Sequence, residues 1–232
     1  MSHYVDLNSD LGESFGNYTL GMDSEVLNHV TSANIACGWH AGDPLIMDAT
    51  VRICKEKGVA VGAHPGYPDL MGFGRRAMAV NPAEAKAYMM YQLGALQAFC
   101  DSYDITLQHM KLHGAFYNTA CVTPVLADAI LDGLQAVNPN ISAMVLSGSY
   151  IAQEAQRRGI PVIQEVFADR GYTEKGTLVP RTEEGAFIKD PQEALDRVLM
   201  MVTKGKVVTN TGKTIDIVAD SVCVHGDNPE AI

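Results

Sequence analysis

The sequence predicts an α/β fold whose parallel strands close into a barrel, and three observations carry that expectation. Roughly seven strand-like runs alternate with helix-like stretches along 232 residues. Polar and ionisable side chains stand at most of the strand ends. They are Asp6, Asn8 and Asp10 at the first strand; Asn34, His40 and Asp43 after the second; His64 after the third; His109, Lys111 and His113 at the fourth; Glu165, Asp169 and Arg170 after the sixth; and His225 with Asp227 after the last. Groups from so many strands converge only if the strands surround an axis, whereas an open sheet gathers groups from two or three loops. Neither a G-x-G-x-x-G loop nor a G-x-x-x-x-G-K-[ST] loop occurs, which disfavours a dinucleotide or P-loop sheet.

In chain order, Tyr4 to Asn8 is expected as the first strand, Asp23 to Val30 as a short helix and Ser32 to Ala36 as the second strand. Asp43 caps a helix that Pro44 opens and Gly58 closes. Val59 to Ala63 follows as a strand, then a Gly-rich loop ending in Arg75 and Arg76. Asn81, Pro82 and Glu84 signal a long helix to about Tyr103. Ile105 to Met110 is the fourth strand, Pro124 to Val137 a helix, Ser142 to Leu146 the fifth strand and Ile151 to Arg158 a helix. Pro161 to Phe167 is the sixth strand and Pro191 to Val202 the last helix. The turn Asn210-Thr211-Gly212 predicts a hairpin, and Val218 to Val224 a final strand.

Residues 1–232 suffice for a single barrel domain with one core. Hydrophobic residues make up 47% and charged residues 19%, a balance that a packed core needs and a disordered chain lacks. The net charge of −10 speaks against nucleic-acid and anionic-membrane partners, which demand clustered Lys and Arg. No signal peptide is read at the N-terminus, and the apolar stretch from Ala87 to Phe99 is broken by Gln92 and Gln97, so a cytoplasmic location is expected. Five scattered cysteines without C-x-x-C spacing fit buried thiols in a reducing compartment. A homo-oligomer is compatible with this composition.

The candidate site residues follow from position and chemistry. Alternation puts Asp6, Asn8 and Asp10 on one strand face, with Asp10 the best placed as a base or ligand. Glu13 follows in the adjoining loop, and His40 lies in a Gly-bounded loop with no apolar register. His64 ends an apolar strand just before a proline. His109, Lys111 and His113 alternate onto one face, a cluster that makes sense against carboxylates, an anionic substrate or a metal. Arg170 and Arg181 supply guanidinium forks for a carboxylate or phosphoryl group. Asp10, His40 and His64 together could hold a divalent metal such as Zn²⁺, although no H-E-x-x-H signature is present.

Seven segments, DLNSDLGESFG, SANIACGWHAGDP, GAHPGYPDLMGFGRR, HMKLHGAFYN, EVFADRGY, LVPR and VCVHGDNP, resemble in order the signatures of the LamB/YcsF family, associated with bacterial ATP-dependent 5-oxoprolinase. Leu112 stands where proline is usual, Phe116 where leucine is usual, and Ser9 where Cys or Ala is common. The resemblance implies a variant TIM-like (β/α)7 barrel of the glycoside hydrolase/deacetylase type, with a further C-terminal helix beyond this chain's end. It also implies the reaction of 5-oxo-L-proline, ATP and two waters to L-glutamate, ADP and phosphate, with ATP as cosubstrate of a complex that includes the B and C subunits of the enzyme. On that expectation Asp10, Lys111, His113 and His64 are catalytic. Asn8, Glu13, Asn34, His40, Arg170, Arg181 and His225 bind the acidic lactam. Two alternatives remain open at this point: a metal-dependent amide or acetyl hydrolase acting without ATP, and a non-catalytic metabolite-binding subunit.

Overall fold

In the computed structural model, which describes residues 4–224, seven parallel strands close into a barrel ringed by helices. They are β1 (Asp6–Leu11), β2 (Ser32–Ala36), β3 (Ala60–His64), β4 (Leu107–Met110), β5 (Ser142–Leu146), β6 (Val162–Phe167) and β9 (Ser221–Cys223), and β9 pairs with both β1 and β6 to complete the circle. The intervening helices are α1 (Asp23–Val26), α2 (Pro44–Lys57), α3 (Pro82–Ser102), α4 (Gly114–Val122), α5 (Pro124–Val137), α6 (Tyr150–Arg157) and α7 (Pro191–Lys204). The short strands β7 (Lys206–Val208) and β8 (Thr214–Asp216) form the expected hairpin outside the barrel. Among the described residues no single helix is long and apolar enough to cross a membrane.

Local chemistry sets the helix ends. Asp43 accepts from the Leu45 and Ile46 amides at the start of α2, and Gly58 closes that helix in the left-handed conformation. Asn81 and Glu84 form a reciprocal capping box on α3. Asp43 is therefore a cap, and it also accepts from the Gly16 amide, tying the β1–α1 loop to α2.

The strands face two ways. Outward-facing Leu11, Ala33, Ile35, Val61 and Val166 join the apolar core beneath the helices, and all five cysteines are buried. The lumen is polar. Asn34 donates to Asn8 at 2.8 Å, Asn8 donates to Ser221 at 2.7 Å, and Ser221 donates in turn to Asp6. The His109 ring fits only because β3 carries Gly62 beside it: a Cβ there would lie 2.0 Å from Nε2.

Four expectations need correction. Glu165, grouped with the residues after the sixth strand, lies within β6 with its side chain inside the barrel, while Asp6 and His109, expected on strand faces, belong to this lumen network. Helix α4 is absent from the sequence-based expectation, because GAFYNTACV lacks a side-chain cap and any clear apolar periodicity. The first strand starts later and runs to Leu11, carrying Asp10 inside it, while β9 is shorter than expected. α1 spans four residues rather than the longer stretch expected.

Candidate active site at the barrel mouth

Above the lumen network, the C-terminal ends of β1, β3 and β4 bring Asp10, His64, Lys111 and His113 together. Asp10 Oδ1 accepts from Asn34 at 2.9 Å and from Lys111 Nζ at 2.9 Å. Its other oxygen lies 3.3 Å from His64 Nε2. Lys111 is buried and reaches Glu165 Oε1 at 2.7 Å, Asn8 at 3.1 Å and Cys223 Sγ at 3.1 Å. Burial pulls the Lys111 ammonium down, but Asp10, Cys223 and Glu165 outweigh it and hold the group well above its ordinary value.

Glu13 enters from the β1–α1 loop, where the Gly12 amide donates to Asp23 at 2.8 Å and fixes the turn. Glu13 Oε1 lies 3.2 Å from His40 Nε2 and 3.5 Å from His113 Nδ1. Burial raises its carboxyl against the opposing pull of His113. The His40 and His113 rings stack with centroids 3.7 Å apart, 4° from parallel. Gly74, at φ +62°, makes room for them: a Cβ there would lie 2.7 Å from His40 Cβ and 2.8 Å from His113 Cδ2. Burial, joined by His64, holds His40 well below the ordinary imidazole value; His113 is lowered likewise by burial, His40 and His64.

Hydrogen-bond acceptors decide which nitrogens carry protons. His64 Nδ1 lies 2.8 Å from the Lys111 carbonyl and His113 Nε2 lies 2.7 Å from the Phe73 carbonyl. A carbonyl oxygen only accepts, so both of these nitrogens are N–H donors. The remaining nitrogens, His64 Nε2 and His113 Nδ1, face each other at 3.0 Å. In neutral rings each presents a lone pair, and two lone pairs at hydrogen-bond distance repel unless a cation sits between or beside them. A proton on His64, which Asp10 favours against the effect of burial, relieves the contact. A metal ion does so as well.

Glu13, His40, His64 and His113 together place four donor atoms within 4.8 Å of one another. Three imidazole nitrogens and one carboxylate oxygen suit Zn²⁺ or a neighbouring first-row ion. Two of those imidazoles are held neutral by burial, and His40 Nδ1 is a buried nitrogen with no hydrogen-bond partner. Compared with the expected set, His40 and His64 are retained, His113 is added, and Glu13 takes the place of Asp10, whose Oδ1 is engaged by Lys111 and Asn34.

The mouth pocket is lined by Asp10, Glu13, His64, Lys111 and His113 together with Arg75, Arg170 and Arg181. Asn8, Asn34 and His40 do not line it; they support it from the lumen and from behind Glu13. Arg170 donates Nε to the Ala186 carbonyl at 3.0 Å and Nη2 to the Val179 carbonyl at 2.7 Å, which leaves Nη1 and the second N–H of Nη2 for a ligand. Burial, with Arg181 nearby, pulls its guanidinium down to about 10. Arg76 instead pairs with Asp69. His225 lies outside the described residues. Tyr117 joins the site without having been expected in it, while Glu165, expected only among the converging strand-end groups, and Cys223 take part through Lys111. Tyr117 sits on the unforeseen helix α4, and the inward parity of Glu165 along β6 was the one available signal.

Comparisons with known proteins agree with one another. The LamB/YcsF family description matches residues 5–232. The A subunit of 5-oxoprolinase from Fusobacterium nucleatum is 62% identical over 232 residues, covering 100% of this chain and 90% of its own. The A subunit of 5-oxoprolinase from Pyrococcus abyssi is 53% identical over 228 residues, covering 98% of this chain and 89% of its own. Among solved structures, the lactam utilization protein of Thermus thermophilus gives a TM-score of 0.93 at 45% identity, covering 98% of this chain and 92% of that one.

Proposed function

The chain belongs to the LamB/YcsF family, and we propose that it is a metal-dependent hydrolase that opens a small acidic lactam, 5-oxo-L-proline, as the A-type subunit of a 5-oxoprolinase. The observation that carries this reading is the pair of ring nitrogens, His64 Nε2 and His113 Nδ1, facing each other at 3.0 Å inside a cluster completed by Glu13 and His40. A divalent ion held by residues of this cluster would supply a Lewis acid and, with a coordination position left open, would make water a better nucleophile near neutral pH.

The chain's own residues do the rest. Asp10, with Oδ1 held by Lys111 and Asn34, turns Oδ2 toward the cluster, where it accepts a proton from the water that attacks the lactam carbonyl. The same carboxyl returns that proton to the ring nitrogen as the C–N bond breaks, so the lactam gains one water and leaves as glutamate. Lys111 offsets negative charge that develops beside Asp10. Arg181, assisted by Arg75 and the remaining N–H groups of Arg170, holds the substrate carboxylate.

ATP enters this reading through partners. The sequence has no phosphate loop, and the pocket is lined by imidazole, carboxylate and arginine groups. That the relatives are named as subunits supports a complex, with the ATP-consuming step on the B and C partners. The test is glutamate release by the purified chain, metal-loaded or chelator-treated, with and without ATP and partners. Near-stoichiometric metal and turnover that vanishes on chelation and returns with Zn²⁺ are expected. Full turnover by chelated protein sinks the metal reading. ATP hydrolysis by this chain alone sinks the division of labour.

A further inference from the structure

Behind the mouth, Glu165 is fully buried and does not line the pocket. One of its oxygens lies 2.7 Å from Lys111 Nζ, and the other accepts from the Tyr117 hydroxyl at 2.7 Å. Nζ donates its three hydrogen bonds to Asp10, Asn8 and Cys223, and Glu165 Oε1, a buried oxygen with no hydrogen bond of its own, meets it as a fourth, ionic contact. Glu165 makes the shortest of the four contacts, ahead of Asp10 at 2.9 Å and of Asn8 and Cys223 at 3.1 Å. In this buried, low-dielectric setting the opposite charge of Glu165 constrains where the ammonium sits. Lys111 in turn fixes Asp10 by Oδ1, which decides where Oδ2 points.

We infer that Glu165 is a positioning residue: braced by Tyr117, its carboxylate holds Lys111 so that Asp10 keeps Oδ1 bound and presents Oδ2 to the pocket. The inference rests on the hydrolase reading for its consequence in turnover, but the contact itself is independent of any substrate. The chain Tyr117, Glu165, Lys111, Asp10 runs from helix α4 through β6 and the end of β4 to β1. It links an element of the wall to the proton-accepting oxygen, and its side chains meet a proposed metal ligand only at Asp10, although the Lys111 carbonyl also accepts from His64 Nδ1.

The experiment uses the full chain labelled with ¹⁵N-lysine, as wild type and as E165Q, E165D and Y117F. The Lys111 ammonium resonance is assigned by its loss in K111R. A sharp, solvent-protected Lys111 signal is expected in wild type, and a broadened or shifted one in E165Q. Metal content should stay at the wild-type level in E165Q. Its kcat should fall about 10–100-fold with KM little changed, the range typical of outer partners that orient active groups. E165D, which keeps the charge, should recover part of that loss. An unaltered Lys111 signal with wild-type kcat in E165Q overturns the proposal, and so does a change confined to KM. Should E165Q fail to fold, Y117F leaves the carboxylate in place without its brace, and an unchanged Lys111 signal there overturns the proposal as well. Absence of turnover in wild type defeats the hydrolase reading instead, while the resonance still decides whether Glu165 holds Lys111.

Discussion

In the lower lumen Asn34 donates to Asn8 and Asp10 and accepts from His109 Nε2 at 2.6 Å, while Asn8 passes the pattern on to Ser221. At the mouth His64 and His113 turn ring nitrogens toward each other, and His40 Nδ1 has no hydrogen-bond partner. Both regions are buried and polar. In the lumen each of these donors meets an acceptor, so the polarity is structural and fixes how the strands pack. At the mouth the donors have been used on the Lys111 and Phe73 carbonyls, and with both rings neutral what remains is acceptors facing acceptors. Burying such an arrangement is unfavourable unless a cation joins it. Unmatched polarity of one kind, more than polarity itself, sets the mouth apart from the lumen.

That contrast is broken most severely by removing a ligand. His113→Ala and His64→Ala should each weaken divalent-metal binding more than the roughly 10–100-fold that outer partners cost. Calorimetric titration of metal-stripped protein measures this. Retention of wild-type affinity in either variant would show that the facing nitrogens are incidental.

Asn34→Ala should behave in the opposite way. It strands His109 Nε2 and removes one donor from Asp10, so about 1–3 kcal/mol of stability is lost in urea unfolding while metal content persists. Loss of metal without loss of stability in this variant would erase the distinction between the two regions.

A surface network sharpens the comparison by a smaller effect. Hydrogen bonds from Arg157 and Arg158 hold the Glu154 carboxyl down to about 2. A carboxylate whose folded value is depressed stabilises the fold above its unfolded value and loses that contribution as pH falls toward the folded one. Stability should therefore decline between about pH 4.5 and pH 2, and Glu154→Gln should flatten that part of the acid limb. Metal affinity at neutral pH should be unaffected. An acid limb identical in Glu154→Gln and wild type would remove this network from the account.

Much of the frame was legible in the residues themselves. Ser32–Ala36 and Ser142–Leu146 are strands with the expected bounds, and Asn81, Pro82 and Glu84 announce α3 correctly. Asp10, His64, Lys111 and His113 are legible because strand ends and period-two alternation are local signals. Glu13 reads from sequence as a substrate contact, because its entry beside His40 depends on how the β1–α1 loop returns over the barrel. Glu165 is grouped from sequence with the residues after the sixth strand although the expected strand, Pro161 to Phe167, contains it, and β6 places it inside the barrel. The proton positions on His64 and His113 are out of reach of sequence, since they follow from the carbonyls of Lys111 and Phe73, just past β4 and in the loop before α3.

The central claim is that these two imidazoles, with Glu13 and His40, form a metal site. Anomalous diffraction at the zinc edge, on crystals grown with stoichiometric Zn²⁺, tests it most directly. The account predicts a single strong peak about 2.0–2.1 Å from His64 Nε2 and His113 Nδ1, with Glu13 among the ligands. A zinc-loaded crystal with no peak there, and with His64 and His113 still in direct contact, would contradict it.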